Sequence, residues 1–236
     1  MSDPTDPQDS QDNQETFPSL RRMGVFKEPW LPSDPSDPDL KPAERALESD
    51  PPNAADVLRL LVGRLEATGR TATQGRLLRA AAADALPLAA EVLLDAGIAP
   101  DRADDQGTTA LHRAIAAGAT EVASLLLGAG ADPNSPAGPQ SRTPLHWAAR
   151  AGAPDLVRRL LDEGARKNET DNRGCAPLHV AARHGAEGVA EALVEVKADL
   201  DARTPNGRRP LHEAARTGHP GVASLLVEAG ADVNVT

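Results

Sequence analysis

Apolar side chains recur along the second half of the chain at helical spacing, in short stretches that end at glycine. Residues 143–152 read Thr-Pro-Leu-His-Trp-Ala-Ala-Arg-Ala-Gly, and a second apolar stretch around Leu160 follows. Apolar positions three and four residues apart predict short amphipathic helices. Proline at the start of a stretch and glycine at its end predict where a helix begins and ends. The pattern therefore predicts pairs of short α-helices joined by tight turns.

The predicted helix pair is repeated along the chain. Segments similar to residues 143–152 occur at 109–118, 176–185 and 209–218. The histidines of the four segments are separated by 34, 33 and 33 residues. A fixed period of this length predicts a solenoid, in which each unit buries its apolar face against its neighbours. The predicted units are 74–103 (degenerate, with Arg79 at the histidine position), 104–137, 138–170, 171–203 and 204–236.

This repeat resembles the ankyrin repeat family over residues 74–234. The family pattern has a turn with glycine, then Thr-Pro-Leu-His, an alanine pair, and a closing Gly-Ala-Asp-x-Asn, which occurs here at 130–134 and 230–234. The chain departs from it at Ser141, which replaces a turn glycine, and at Lys197, which replaces a closing glycine. The resemblance implies an all-α ankyrin-repeat solenoid of stacked helix–turn–helix units with β-turn fingers. The matching turn glycines are Gly107, Gly174 and Gly207.

The N-terminal part of the chain has a different composition. Residues 1–50 hold 12 acidic and 5 basic residues, a net charge of −7, whereas the remaining residues have a net charge of −3. Chains rich in Asp, Pro, Ser and Gln cannot bury enough apolar surface to offset the entropy of ordering. We therefore expect a disordered acidic tail at 1–52. Apolar residues at helical spacing predict a capping helix or a degenerate repeat at 53–73.

Residues 17–31 depart from the acidic background of the tail, since they hold three of the four aromatic residues and three basic residues. Such segments often dock on a partner or on the protein's own body, and chance clustering is the alternative. Ser36, in the segment Ser-Asp-Pro-Asp, fits an acid-directed kinase, and an unmodified solvated serine is the alternative. Phosphate there would add negative charge. The docking candidates are Phe17, Leu20, Phe26 and Trp30.

The repeated histidines suggest a metal site at first sight. Neighbouring units of a helical stack lie about 10 Å apart, whereas a histidine nitrogen lies about 2 Å from a bound metal, so the four cannot share one ion. The resemblance implies that they make hydrogen bonds that bridge turns. We predict structural histidines and no metal or cofactor. The four histidines are His112, His146, His179 and His212.

Function is expected where the units differ from one another, at the turn tips and on the exposed face of the first helix, which in the family line the concave side. Arg150, Arg183 and Arg216 occupy one position in three successive units, and we call them the arginine row. Guanidiniums beside an indole suit carboxylates, phosphates or aromatic side chains; a row that merely solvates a helix face is the alternative. The predicted partner-contacting residues are Arg142, Trp147, Arg150, Arg173, Arg183, His184, Arg208, Arg209 and Arg216.

The sequence predicts a non-catalytic protein–protein interaction module, acting as an adaptor, scaffold or inhibitor for an acidic or aromatic epitope. A second hypothesis is a regulator of a nucleic-acid-binding factor, with the acidic tail as an autoinhibitory cover or a nucleic-acid mimic. The net charge of −10 argues against direct nucleic-acid binding, which usually needs a basic excess. The sequence contains no recognisable phosphate-binding loop and no nucleophile placed beside a base, so no motif in it favours an enzyme.

Cell compartment and oligomeric state are predicted from the cysteine count, the length of the apolar stretches and the last unit. The chain has one cysteine, Cys175, and no stretch of the roughly 20 apolar residues that a membrane span needs. We expect a cytoplasmic protein, or a nuclear one in a eukaryote. Because the last unit, 204–236, does not end in a polar face as terminal repeats usually do, we expect a monomer with weak association through this end.

Overall fold

A computed structural model describes residues 71–233 of the chain. Within that range the protein forms ten α-helices in five pairs and no β-strand, so the predicted all-α repeat solenoid is confirmed. The pairs are α1 (Thr71–Ala83) with α2 (Pro87–Asp95), α3 (Ala110–Ala117) with α4 (Thr120–Gly128), α5 (Pro144–Ala151) with α6 (Pro154–Asp162), α7 (Pro177–His184) with α8 (Glu187–Glu195), and α9 (Pro210–Thr217) with α10 (Pro220–Glu228).

The first helices of the last three pairs begin at the proline and end before the glycine that the sequence predicts. Helix α5 starts at Pro144, where the missing backbone N–H costs nothing because the first turn of a helix has no partner for it. It ends before Gly152, whose φ of 64° is left-handed and is unfavourable for residues with a Cβ. The same arrangement recurs in α7 and α9.

Two departures from the family pattern keep the backbone conformation of the glycine that they replace. Ser141 has a φ of 51° and Lys197 a φ of 58°. Each non-glycine residue in this left-handed region costs roughly 1 kcal/mol. The surrounding repeat therefore imposes the turn, and the substitutions cost local stability without changing the fold.

The core is one continuous apolar layer that runs through all five pairs. First helices pack on first helices of the next pair, and second helices pack on second helices. Alanine pairs such as Ala148 and Ala149, which are fully buried, let the first helices approach closely. Each fully buried leucine contributes about 1.5–3 kcal/mol relative to its exposed state. The leucines buried at equivalent positions of the middle units are Leu111, Leu145 and Leu178 in first helices, and Leu126, Leu160 and Leu193 in second helices.

The turns that connect the pairs are also linked to one another. Between α4 and α5, Ala137 and Arg142 form an antiparallel bridge, with N···O distances of 2.9 and 3.0 Å. The amide of Gly138 donates to the carbonyl of Gln106 in the preceding turn at 2.9 Å, and the amide of Asn172 donates to Gln140 at 3.0 Å. These bonds hold neighbouring turns in register, so side chains at equivalent turn positions lie on one side of the stack.

Gly185, which ends α7, is required by two separate constraints. Its φ is 67°, and a Cβ added there would lie 2.5 Å from Nδ1 of His219, whose Nε2 donates to the carbonyl of Arg183 at 3.1 Å. We expect Gly185→Ala to lower the free energy of unfolding by about 2–3 kcal/mol, from left-handed strain plus the displaced His219 ring. Urea denaturation measures the loss.

Gly152 provides a matched control for that substitution. It occupies the equivalent position one unit earlier with a φ of 64°, and a Cβ added there meets nothing within 4 Å. Gly152→Ala should cost about 1 kcal/mol, the strain alone. An equal loss for both substitutions would show that the His219 contact contributes nothing.

Helix α1 runs from Thr71 to Ala83 and so passes through the unit boundary predicted between residues 73 and 74. The other predicted boundaries lie in loops between pairs. Several predictions concern residues outside the described range, namely the acidic tail at 1–52, most of the capping helix at 53–73, the docking segment 17–31 with Phe17, Leu20, Phe26 and Trp30, and the phosphorylation site at Ser36. Between residues 71 and 233, no helix is both long and apolar enough to span a membrane.

Candidate functional site

The repeated histidines lie in the first turn of the first helix of their pairs, next to the turn that precedes the helix. Nδ1 of His146 accepts the backbone N–H of Thr143 at 3.3 Å, and its Nε2 donates to the carbonyl of Cys175 in the next unit at 2.9 Å. Because Nδ1 accepts, the proton of the neutral ring is on Nε2. His179 repeats the arrangement, with Nε2 3.1 Å from the carbonyl of Arg208. The Nδ1 contact to the residue three positions earlier also recurs at His112 and His212.

Burial keeps these imidazoles neutral. Loss of solvation lowers the pKa of His112 to about 4, and the pKa values of His146 and His179 are lowered for the same reason. All three rings are fully buried. In the part of the chain that the structure describes, no three His, Cys, Asp or Glu side chains are grouped to hold a metal ion. His146 and His179 thus bridge neighbouring turns.

The arginine row lies on the first helices of three successive units, but its members differ in exposure. The side chain of Arg216, at the end of α9, is 48% exposed, whereas that of Arg183 on α7 is 14% exposed. Arg150, near the end of α5, is partly exposed. The difference arises because Arg183 extends toward the next unit, where it meets a buried carboxylate.

That carboxylate belongs to Glu213, whose side chain is 1% exposed. Its Oε2 lies 3.2 Å from Nε of Arg183 and 3.0 Å from Nη2 of Arg216, and its Oε1 lies 3.8 Å from Nη1 of Arg208. We call these four residues the Glu213 cluster. Burial alone would raise the pKa of Glu213, but the guanidiniums of Arg183 and Arg216 outweigh it and hold the pKa below its ordinary value. Glu213 therefore stays ionised and holds Arg183 and Arg216 by hydrogen bonds, with Arg208 in a longer ion pair.

Sequence reasoning missed Glu213, since its position on the first helix is occupied by Arg113, Trp147 and Val180 in the preceding units. Nothing in that series indicates a buried acid. One signal was present in the sequence. Arg183 lies 30 residues before Glu213, in the preceding unit, and is near enough to pair with it. The Arg183–Glu213 pair could be identified only from the structure, because the sequence does not give the distance between side chains of neighbouring units.

Two arginines that were predicted to contact a partner are buried in the structure. Nε of Arg142 lies 3.3 Å from Oδ2 of Asp171 in the next turn, and the two side chains are 9% and 0% exposed. Nη1 of Arg209, whose side chain is 7% exposed, lies 3.1 Å from Asp201 and 2.9 Å from Asp232. Both arginines connect one turn to another, so we leave them out of the surface proposed below.

Trp147 is partly buried and packs within the stack. Its ring meets the His112 ring edge-on, with centroids 5.7 Å apart and an interplanar angle of 73°. Its Nε1 is buried and has no hydrogen-bond acceptor among the described residues. The indole can therefore offer a partner an apolar edge, and its N–H faces inward.

The remaining predicted residues lie at the surface. The side chain of Arg208 is 40% exposed, Arg173 is partly exposed at a turn tip, and His184 is exposed at the end of α7. Together with the arginine row they form what we call the arginine face. Its members are Arg150, Arg173, Arg183, His184, Arg208 and Arg216.

A second feature that sequence reasoning missed connects the loops at the far end of each unit. Oδ1 of Asp101 accepts the backbone N–H of Asp132 one unit later at 2.9 Å. Asn134, Asn168 and Asp201 make the same bond, at 2.8–3.1 Å. These four residues are separated by 33, 34 and 33 positions. This recurrence of Asp or Asn in the sequence could have revealed the series of hydrogen bonds between units.

Comparison with known proteins agrees with this architecture. A family model described as ankyrin repeats (3 copies) matches residues 50–137, 77–171, 129–204 and 145–236. A search of curated proteins gives no match. The overlapping family matches cover all five helix pairs, so the chain belongs to the ankyrin repeat family.

Proposed function

We propose that this chain is a non-catalytic adaptor, scaffold or inhibitor that binds an acidic segment of a partner protein on its arginine face. Ankyrin repeats are generally protein–protein interaction modules and not catalysts. The observation that carries the proposal is the Glu213 cluster, in which one buried carboxylate accepts hydrogen bonds from Arg183 and Arg216 and lies 3.8 Å from the guanidinium of Arg208.

The charge of the cluster favours an anionic partner. Arg183, Arg208 and Arg216 carry three positive charges and Glu213 carries one negative charge, so the cluster has a net charge of about +2 with Glu213 ionised. Two of the guanidiniums are exposed at 40% and 48%, where a partner can reach them. Side chains that are already held in place lose less conformational entropy on binding. Complementary charge also speeds association and disfavours basic partners.

Affinity capture from cell extract tests the proposal. The full chain is compared with Arg150→Ala/Arg216→Ala, which removes the two ends of the arginine row and retains Arg183 beside Glu213. A matched control is Arg158→Ala/Arg166→Ala, because these arginines are 46% and 70% exposed and lie outside the arginine face. We expect the row variant to lose partners that the control retains.

Loss of the same partners from both variants, or from neither, would contradict a role for the arginine face. Thermal melting of each purified variant establishes that it is folded. Exposed ion pairs contribute about 0–1 kcal/mol each to stability, so both variants should melt close to the wild type.

The second hypothesis is a regulator of a nucleic-acid-binding protein, with the acidic tail as a cover over the arginine face or as a nucleic-acid mimic. It is supported by the charge difference between residues 1–50, at −7, and the remaining residues, at −3. It predicts that captured partners include nucleic-acid-binding proteins, and that nuclease treatment of the extract leaves their capture intact. Capture that depends on intact nucleic acid would contradict it.

A further inference from the structure

The surface that carries the arginine row becomes apolar toward α3. At the position of the row, α3 has Ala116, and the next residue is Ala117; both are partly exposed. Trp147 on α5 is also partly exposed, and its ring packs against His112, which lies on the same helix as the two alanines. We call Ala116, Ala117 and Trp147 the Trp147 patch.

The repeat explains why the indole of Trp147 stays partly exposed. Ala116 and Trp147 occupy the positions that Arg183 and Glu213 occupy two units later. There, the long arginine side chain reaches across the unit boundary and meets the carboxylate at 3.2 Å. An alanine cannot extend over its neighbour in this way. The edge of the indole is therefore left for an aromatic side chain of a partner, which packs well against another aromatic ring.

The charges at the turns change in the same direction along the stack. The turn before α3 carries Asp104 and Asp105; Arg113 pairs with Asp104 at 3.3 Å, and Asp105 is exposed. At the other end, Arg208 precedes α9 and Arg216 lies on it, with side chains 40% and 48% exposed. Like charges repel and opposite charges attract, so the acids of a partner are directed to the α9 end.

Arg216 can bind a carboxylate of the partner while it keeps its bond to Glu213. That bond uses Nη2, and a guanidinium has five N–H donors. The side chain is 48% exposed, so an anion can approach it from solvent. Arg183 has a different role, since it is 14% exposed and holds Glu213 in place.

The distance between the two ends determines the length of the segment that binds both. Trp147 lies on α5 and Arg216 on α9, and α7 packs between these helices. Packed helices lie about 8–10 Å apart, so two steps span about 16–20 Å. An extended chain rises about 3.3 Å per residue, so about five or six residues cover this distance.

We propose that the Trp147 patch and the α9 end of the arginine face bind one partner segment, in which an aromatic side chain lies about six residues from a group of acids. The aromatic side chain packs on Trp147, and the acids pair with Arg216 beside Arg208. The inference rests on the proposed function, because it names the class of acidic segment that the arginine face accepts.

Fluorescence polarisation of labelled peptides with the full chain at low salt tests the spacing. Each probe is a Gly/Ser peptide with one 4-nitrophenylalanine and three consecutive aspartates. Five residues separate these groups in the spaced probe, and none do in the compact probe. Both are made in both chain directions, and the tighter direction of each is compared. We expect the spaced probe to bind about fivefold more tightly, and equal affinities would overturn the proposal.

Tryptophan fluorescence shows whether the aromatic side chain reaches the patch. The chain has two tryptophans, so Trp30→Phe leaves Trp147 as the only one. A nitroaromatic ring quenches an indole that it contacts. We expect saturation with the spaced probe to quench most of the emission, whereas the same peptide with phenylalanine does not. Emission that stays unchanged with the nitroaromatic probe would contradict contact with Trp147.

Two substitutions separate the apolar contact from the charged one. Trp147→Val introduces the residue that the next unit has at this position, Val180. It should weaken the spaced probe about fivefold and leave a probe with serine in place of 4-nitrophenylalanine unchanged. Arg216→Ala should weaken both probes about threefold. If Trp147→Val weakens both probes equally, Trp147 has only a structural role and the inference is wrong.

The inference and the proposed function can fail separately. Failure of every probe to bind, with partner capture that depends on Arg150 and Arg216, would overturn the inference and leave the proposed function standing. Binding of the spaced probe through Trp147 and Arg216, with no partner captured from extract, would support the inference and contradict the proposed function.

Discussion

Arg183→Ala is expected to lower the free energy of unfolding by about 3 kcal/mol, whereas Arg216→Ala should lower it by less than about 1 kcal/mol. The two arginines pair with the same oxygen of Glu213 at 3.2 and 3.0 Å, but their side chains are 14% and 48% exposed. Removing Arg183 deprives a buried carboxylate of its most buried counter-charge. Urea denaturation at pH 7 measures both losses.

Replacing Arg183 and Glu213 together should lower the free energy of unfolding less than replacing Arg183 alone. The double substitution Arg183→Met/Glu213→Leu keeps apolar volume at both positions, and replacement of a buried ion pair in this way is often neutral or stabilising. We expect it to recover most of the stability that Arg183→Ala loses. If Arg183→Ala and Arg216→Ala lower the free energy of unfolding equally, burial of the Arg183–Glu213 pair is not what stabilises the Glu213 cluster.

Acidification from pH 7 to pH 4 is expected to destabilise the protein by several kcal/mol. The folded-state pKa of His112 is lowered to about 4, below the ordinary value of about 6.5 that it regains on unfolding. Between these values the unfolded chain binds a proton that the folded chain does not, so stability is complete above pH 6.5 and falls as the pH approaches 4. For His112 alone the loss is about 3 kcal/mol.

The other buried groups act in the same direction. His146 and His179 also have lowered pKa values, so each adds to the loss below pH 6.5. Glu213, with a pKa below its ordinary 4.5, contributes stability that is present above that value and is lost below it. Urea denaturation at half-unit pH steps measures the curve, and His112→Gln should flatten it. A free energy of unfolding that is constant between pH 7 and 4.5 would contradict neutral buried histidines.

The sequence predicted the repeat architecture well because each unit carries its own local signals. Proline at the start of α5 and glycine after it determine that helix without reference to any distant residue, and the 33-residue period repeats the same information. The first pair carries fewer of these signals, and helix α1 spans the boundary predicted between residues 73 and 74. Its unit has Arg79 at the histidine position and lacks the turn that opens the later units.

The candidate surface was less predictable because exposure depends on neighbouring units. Arg150, Arg183 and Arg216 share one position in the repeat, yet Arg183 is the one that reaches a buried acid. Arg142 appeared to be a turn-tip cation, and it is buried against Asp171, 29 residues away in sequence. A period shows which residues are equivalent; their contacts depend on which side chain the next unit places opposite them.

The central claim is that the arginine face is a binding surface and not a solvated helix face. The most direct measurement is the dissociation constant of a purified, captured partner for the wild type, for Arg150→Ala/Arg216→Ala and for Arg158→Ala/Arg166→Ala at low and high salt. We predict about tenfold weaker binding for the row variant at low salt, a smaller difference at high salt, and little change for the control. Equal dissociation constants for all three proteins at low salt would contradict the claim.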